Sequence, residues 1–301
     1  MGEVGSVLWG SKERPAPSGG VLLYALLLVK EPLTNGANVN LFKSAAVCLV
    51  VVVMCGCDRS QPTPPVATNP TPVELPESAN SIGMKFKLIP VGMFTMGEGD
   101  DAHEVTLTVP FKMGVHEVTQ AQYEQVMGSN PSRYKGSDHP VEEVSWDDAV
   151  EFCRRLSALP AEKSAGNVYR LPTEPEWEYA CRAGTTTKYS FGDDESELGD
   201  YAWYGVNSDN THPVGGKLPN AWGLYDMHSN VWEWCQDWYG NDPSSAVTDP
   251  TGPASGSGRV LRGGGWSFTA ELCRSAYRFR DSPSIRGNSY GFRVCLSPSG
   301  E

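Results

Sequence analysis

The chain has 301 residues, a net charge of −12 and 40% hydrophobic residues. That length admits one large domain or two small ones, and the composition suits a soluble globular fold. The negative charge excludes nucleic-acid binding as the main job, because phosphate affinity comes from positive charge, while 23 prolines and 32 glycines predict a loop-rich chain.

Residues 1–40 carry a first apolar run, Val21 to Val29, and translation starting near Val39 would leave it outside the protein. Lys43 precedes a second run, Ala45 to Met54. This run is too short to span a bilayer as a helix and has the length of a signal-peptide hydrophobic region. It ends in Cys55-Gly56-Cys57, which looks like a bacterial lipobox, with Cys57 as the acylated first residue of the mature protein. A plain secretory signal or an uncleaved anchor is the alternative. Residues 58–80 are dense in Pro, Thr and Ser and read as an extended tether. The expected organisation is an N-terminal extension and lipoprotein signal peptide over 1–57, a tether over 58–80 and a folded domain over 81–301. That domain is expected outside the cytoplasm, in the periplasm or at the cell surface, held to the membrane by its lipid.

Phe86, Leu88, Val91, Phe94 and Met96 mark an opening strand or hairpin with Gly92 at the turn, and Val105 to Phe111 alternates like a half-buried strand. Thr119 with Gln122 makes a capping box, so a helix is predicted over 120–127. Ser145 with Asp148 opens a second helix carrying Ala149, Phe152, Cys153 and Leu156 on one face. Thr173 with Glu176 opens a third, with Pro175 tolerated in its first turn. Beyond Arg182 the chain reads as loop to residue 258. Strands are predicted at 259–261, 274–280 and 290–296, and there is no internal repeat.

Residues 219–235 concentrate chemistry: two carboxylates, Asp226 and Glu233, flank a polar turn among three tryptophans. Hard cations take oxygen ligands from carboxylates and backbone carbonyls, and such a turn can supply both. A Trp-rich core segment with its acids in solvent is the plainer reading. The five histidines (103, 116, 139, 212 and 228) lack ligand spacing, and neither His-Glu-x-x-His nor Gly-x-Ser-x-Gly occurs. Seven arginines crowd residues 259–293, where pairing with the acidic remainder competes with an anion-binding groove. Five cysteines fall in the domain, an odd number, so at least one thiol is left unpaired or pairs outside the chain.

Several ordered motifs together resemble the sulfatase-modifying-factor, or formylglycine-generating-enzyme, family. They are Pro-Val-Glu-Glu-Val-Ser-Trp-Asp-Asp-Ala (140–149), Arg-Leu-Pro-Thr-Glu-Pro-Glu-Trp-Glu-Tyr-Ala (170–180), Asn-Val-Trp-Glu-Trp (230–234), Arg-Gly-Gly (262–264) and Gly-Phe-Arg (291–293). The resemblance covers roughly Met84 to Leu296. It implies a single α+β domain of the formylglycine-generating type, related to C-type-lectin-like folds, with few helices and short, mostly antiparallel strands.

The same resemblance carries site expectations. Calcium would be held by the Asp226 and Glu233 carboxylates and the Ser229 and Val231 carbonyls; for a second calcium, Asn207 and Asp209 are weaker candidates. A disulfide would join Cys153 to Cys295, although Cys295 is displaced by one position. Cys181 matches a second bridging cysteine whose partner position is Arg278, so the pairing of Cys181, Cys235 and Cys273 stays open. Family enzymes bind copper through two cysteines five residues apart after Arg-Gly-Gly, activate dioxygen and oxidise a sulfatase cysteine to formylglycine. Here the second position is Cys273 and the first is Phe268, while Gly265 and Thr269 stand at a serine and a histidine position. Phenylalanine cannot coordinate a metal, and one thiolate cannot build a two-sulfur copper site. Two readings follow. In one, the domain keeps the fold and the calcium but not the oxidase, and binds a protein, peptide or glycan through Trp222, Trp232, Trp266 and Arg262. In the other, it is an active oxidase of sulfatases that uses Cys273 as a catalytic thiol.

Overall fold

The structure is a computed structural model in which residues 71–297 are described. All of the described residues belong to one compact unit. Cys57 and most of the tether therefore lie outside the described residues.

Short strands build three sheets. The first contains β1 (Glu77–Ala79), β2 (Lys85–Ile89), β5 (Phe111–Gly114), β12 (Cys295–Ser297) and β6 (Val168–Arg170), antiparallel throughout and in the order β1-β2-β5-β12-β6. The second, β10 (Phe279–Asp281), β9 (Arg259–Arg262), β7 (Trp232–Trp238) and β11 (Tyr290–Gly291), is antiparallel except where β11 joins β7. The third pairs β3 (Gly92–Met96) with β4 (His103–Leu107), and β8 (Val247–Thr248) runs parallel to β4. This is the expected α+β architecture.

All three predicted capping boxes form, because each hydroxyl accepts from the N3 amide while the N3 side chain returns to the cap. They open α1 (Gln120–Met127), α2 (Trp146–Ala158) and α4 (Glu174–Arg182). Helix α2 buries Ala149, Phe152, Cys153 and Leu156, and Phe152 stacks on Tyr123 of α1 at 5.6 Å. Helix α4 is buried on every side, so its polar residues Glu174, Glu176, Glu178 and Arg182 must find partners inside the protein. Two short helices, α3 (Pro160–Ala165) and α5 (Leu198–Tyr201), were not anticipated.

Several boundaries differ from expectation for identifiable reasons. The folded body starts ahead of residue 81: β1 pairs with β2, and the Val73 amide donates to the Ala221 carbonyl at 2.7 Å. Strands β2 and β3 belong to different sheets, so Gly92 closes no hairpin. It opens β3 against Tyr179, whose hydroxyl would lie 2.1 Å from any Cβ there. The run 105–111 likewise splits, with β4 ending before Pro110 and Phe111 starting β5. Only Phe279 and Arg280 of the predicted strand 274–280 are extended in a sheet, because the carbonyls of Ser275, Ala276 and Tyr277 are taken by the Arg262 guanidinium. Strand β7 was read as loop, since Trp232, Glu233, Trp234 and Cys235 are all buried and give no alternation.

Candidate functional site

The turn from Asp226 to Asn230 feeds β7 into the centre of the molecule. Asp226 and Asn230 hold φ of 60° and 80°, a left-handed conformation that Asp and Asn tolerate better than bulkier residues. Glu117, two residues before the α1 cap, clamps the end of this turn. Its carboxylate accepts from the Val231 amide at 3.0 Å and from Asn230 Nδ2 at 2.7 Å. Asn230 Oδ1 in turn accepts from the His212 amide at 3.0 Å.

Glu233 faces the same centre from β7. Arg293 donates to both of its oxygens at 2.6 Å, and Trp177 Nε1 of α4 adds a bond of 2.7 Å. The guanidinium also reaches the Gly114 and Tyr225 carbonyls. Asp226 accepts from the Gly215 amide on Oδ2, while its Oδ1 is buried with no partner. Among the described residues, three buried carboxylates, Glu117, Asp226 and Glu233, therefore share one compensating cation, Arg293. Burial holds the Glu117 carboxyl well above the ordinary range, and the neighbouring Asp226 and Glu233 charges push it further. Burial likewise raises Asp226.

This donor set fits a hard divalent cation: Asp226 Oδ1 is orphaned, the turn carries the Ser229 and Val231 carbonyls, and the uncompensated charge is negative. Of the expected ligands Glu233 is the most committed elsewhere. Glu117 was missed, because nothing in its local spacing sets it apart; only the fold brings it across more than a hundred residues to the turn. Asn207 closes its own loop, with Oδ1 on the Tyr204 amide and Nδ2 on the Ala202 carbonyl, so its side chain serves that turn. Among the described residues no three His, Cys, Asp or Glu side chains converge in a metal-binding cluster.

The Arg-Gly-Gly segment leads from β9 to the second position of interest. Gly263 and Gly264 have φ of +96° and +87°, and a Cβ on Gly264 would sit 2.7 Å from Cys273 Sγ. Cys273 is fully buried, 3.5 Å from the Thr269 carbonyl, and burial pushes its thiol up to about 12. Phe268 packs edge-on against Trp232 at 5.5 Å, while its carbonyl accepts from the Gly205 amide. Cys181 lies beside Ser275 and the Met227 carbonyl at 3.6 Å, and Cys235 beside the Glu233 carbonyl at 3.9 Å. Each of these contacts gives the thiol a packing environment of its own, and neither places it against Phe268.

The Sulfatase-modifying factor enzyme 1-like domain family matches residues 73–298. This chain belongs to that family. A Paenibacillus barcinonensis protein named chaperone protein LppX is 30% identical over 256 residues, covering 70% of this chain and 88% of that protein. The formylglycine-generating enzyme of Streptomyces coelicolor is 38% identical over 174 residues, 52% of each chain. Its mouse counterpart is 32% identical over 219 residues, 67% of this chain and 55% of the enzyme. The chain thus spans about half the length of these two enzymes. Among solved structures, Treponema denticola variable protein 1 superposes with a TM-score of 0.67 at 34% identity, covering 76% of this chain and all of that one. PvdO from Pseudomonas aeruginosa gives 0.65 at 28% identity, covering 75% and 99%.

Within the sulfatase-modifying-factor fold, the residues expected to form a contact surface are largely interior. Arg262 is completely buried, paired with Glu178, and Trp232 is 1% exposed. Trp222 is buried against Tyr179. Trp266 alone of that set is half-buried, bonding the Asn288 carbonyl and meeting Tyr134 edge-on at 5.4 Å. Most of the arginines serve structure: Arg274 pairs with Glu98, Arg278 with Glu174 and Asp242, Arg286 with Asp148, and Arg259 lies between the rings of Trp146 and Trp238. Cys153 and Cys295 are both free, buried thiols, so the expected bridge is not formed; Cys181, Cys235 and Cys273 are free as well.

Proposed function

We propose that this chain is an extracytoplasmic binding module of the sulfatase-modifying-factor family that takes a protein or peptide and lacks copper oxidase chemistry. The observation that carries this reading is Phe268. It stands where the family's first copper cysteine belongs and fills the space against Trp232 with a ring that offers no metal a donor. Cys273 is left as a lone buried thiol whose high pKa opposes the thiolate that a soft metal needs. Coverage of nearly all of a protein named a chaperone, against about half of the enzymes, supports a polypeptide ligand over a glycan. No helix among the described residues is long and apolar enough to cross a membrane.

Calcium belongs to the same proposal as a structural ion. Asp226 and the Ser229 and Val231 carbonyls would hold it, with Glu233 and Glu117 alongside, and its charge would offset the surplus carboxylates and fix the turn.

The active-oxidase reading is favoured by the 38% identity to the Streptomyces enzyme. Incubation with copper and a Cys-x-Pro-x-Arg peptide separates the two. The binding-module reading expects no aldehyde by mass spectrometry; conversion above a Cys273→Ser control would overturn it.

A further inference from the structure

A cleft of ≈ 340 Å³ is walled by the end of β7, the loop that follows it and the first turn of α4. Neither the Asp226–Asn230 turn nor Phe268 and Cys273 line it. Pro175, Trp238, Pro243, Pro250 and Pro253 give it apolar walls. Its volume is at the low end for ligand sites, room for one small molecule or one side chain.

Two acceptor atoms among its lining residues have no donor. Asp237 is 3% exposed; its Oδ2 accepts from the Glu174 amide at 2.8 Å, and among the described residues nothing pairs with Oδ1. His103 is 7% exposed, and its Nδ1 lies 3.0 Å from the Asp101 carbonyl. A carbonyl only accepts, so the ring proton sits on Nδ1 and Nε2 keeps a lone pair that no described residue meets. Gly252, at φ +69°, lets the loop close on Asp237, since a Cβ there would already lie 3.1 Å from Oδ1.

The charge of the cleft has one sign. Glu174, Asp237 and Asp242 line it with a single arginine, Arg278, which is taken up by both oxygens of Glu174 and by Asp242 at 2.7 Å. Arg262 stands 3.7 Å from Glu174, and its closer partner is Glu178. Asp237 has no ion pair among the described residues, and burial, with the Glu174 charge nearby, raises it to about 7. A buried carboxylate without a cation costs stability, so its place in the wall of an open cavity points to a ligand. A metal ion is the poorer match, because no three His, Cys, Asp or Glu side chains converge among the described residues. A polyatomic cation carries several N–H donors on one charge and can meet separated acceptors together.

We propose that this cleft binds an organic cation, a guanidinium or primary ammonium group, with Asp237 Oδ1 as its counter-charge and His103 Nε2 as a second acceptor. A free small cation or the basic side chain of a polypeptide can supply that group. Such binding is independent of the copper position and of whether the domain takes a polypeptide elsewhere.

Calorimetric titration of the intact protein at about pH 8 with n-propylguanidine and with Nα-acetylarginine amide tests it, and millimolar or tighter saturable binding is expected. Nα-acetylcitrulline amide, which carries a neutral urea in place of the guanidinium, should bind at least about 10-fold more weakly. Asp237→Asn keeps an oxygen for the Glu174 amide but removes the charge, and should weaken both cations at least about 10-fold without lowering the melting temperature. On the wild type, n-propylguanidine should also slow amide exchange at residues 251, 252 and 254 while leaving α2 unchanged. Equal affinity for the arginine and citrulline probes, undiminished binding by Asp237→Asn, or no saturable binding of either cation would overturn the proposal. If it stands, n-propylguanidine binding as tightly as the acetylated arginine identifies a free cation as the source, and a tighter acetylated arginine identifies a polypeptide side chain.

Discussion

Removing the Arg293 guanidinium is the most demanding test of the buried charge cluster. Arg293→Met keeps much of the volume but leaves Glu233, Glu117 and Asp226 without their cation and strips the Gly114 and Tyr225 carbonyls of a donor. Breaking a buried pair by deleting one partner costs about 3–5 kcal/mol, against a total domain stability of about 5–15 kcal/mol. For a domain of this size each kcal/mol moves the melting temperature by about 2–4 °C, so a fall of about 6–20 °C is expected in chelator. Combining it with Glu233→Gln should recover at least half of the loss, because the remaining amide can still accept from Trp177 and one fewer charge is stranded. The deficit should also shrink between pH 8 and pH 5, as burial and mutual repulsion let the raised carboxyls bind protons. Thermal melts of both variants across that range decide the matter. A single variant within about 1 kcal/mol of wild type, or two losses that simply add, would refute the three-acid, one-cation account.

Calcium at about 100 times its dissociation constant should stabilise the domain by about 2.7 kcal/mol, read as a rise in melting temperature over chelator, and Asp226→Asn should abolish the response. Burial, with Glu174 nearby, raises Asp237 to about 7 from its ordinary 3.8. Its folded pKa lies above the unfolded one, so its penalty is absent near pH 4, grows as the pH rises, and is complete above pH 7. Asp237→Asn should therefore match wild type near pH 4 and exceed it by about 4 kcal/mol at pH 8, at about 1.36 kcal/mol per unit, in denaturant titrations at both values. Gly264→Ala places a Cβ 2.7 Å from Cys273 Sγ at a positive φ and should cost about 2–4 kcal/mol; Cys273→Ala in the same chain should return part of it.

The helix starts were legible in the sequence because a capping box is local: Thr119 with Gln122, Ser145 with Asp148 and Thr173 with Glu176 each need only four residues to satisfy two amides. The family was legible for a similar reason, since its motifs are short and ordered, and counting from Arg262 puts Phe268 at the position where the resemblance implies a first copper cysteine. Strand partners were not, because alternation does not say which sheet a strand joins, and β7 is buried on both faces. Nor could spacing place Glu117 beside Asp226, bury Arg262 under the carbonyls that interrupt a predicted strand, or leave Cys153 and Cys295 as free thiols. Those outcomes depend on contacts between residues far apart in the chain. Local patterns follow from backbone hydrogen bonds a few residues long, whereas burial, charge compensation and the shape of a cleft are set only when distant segments meet.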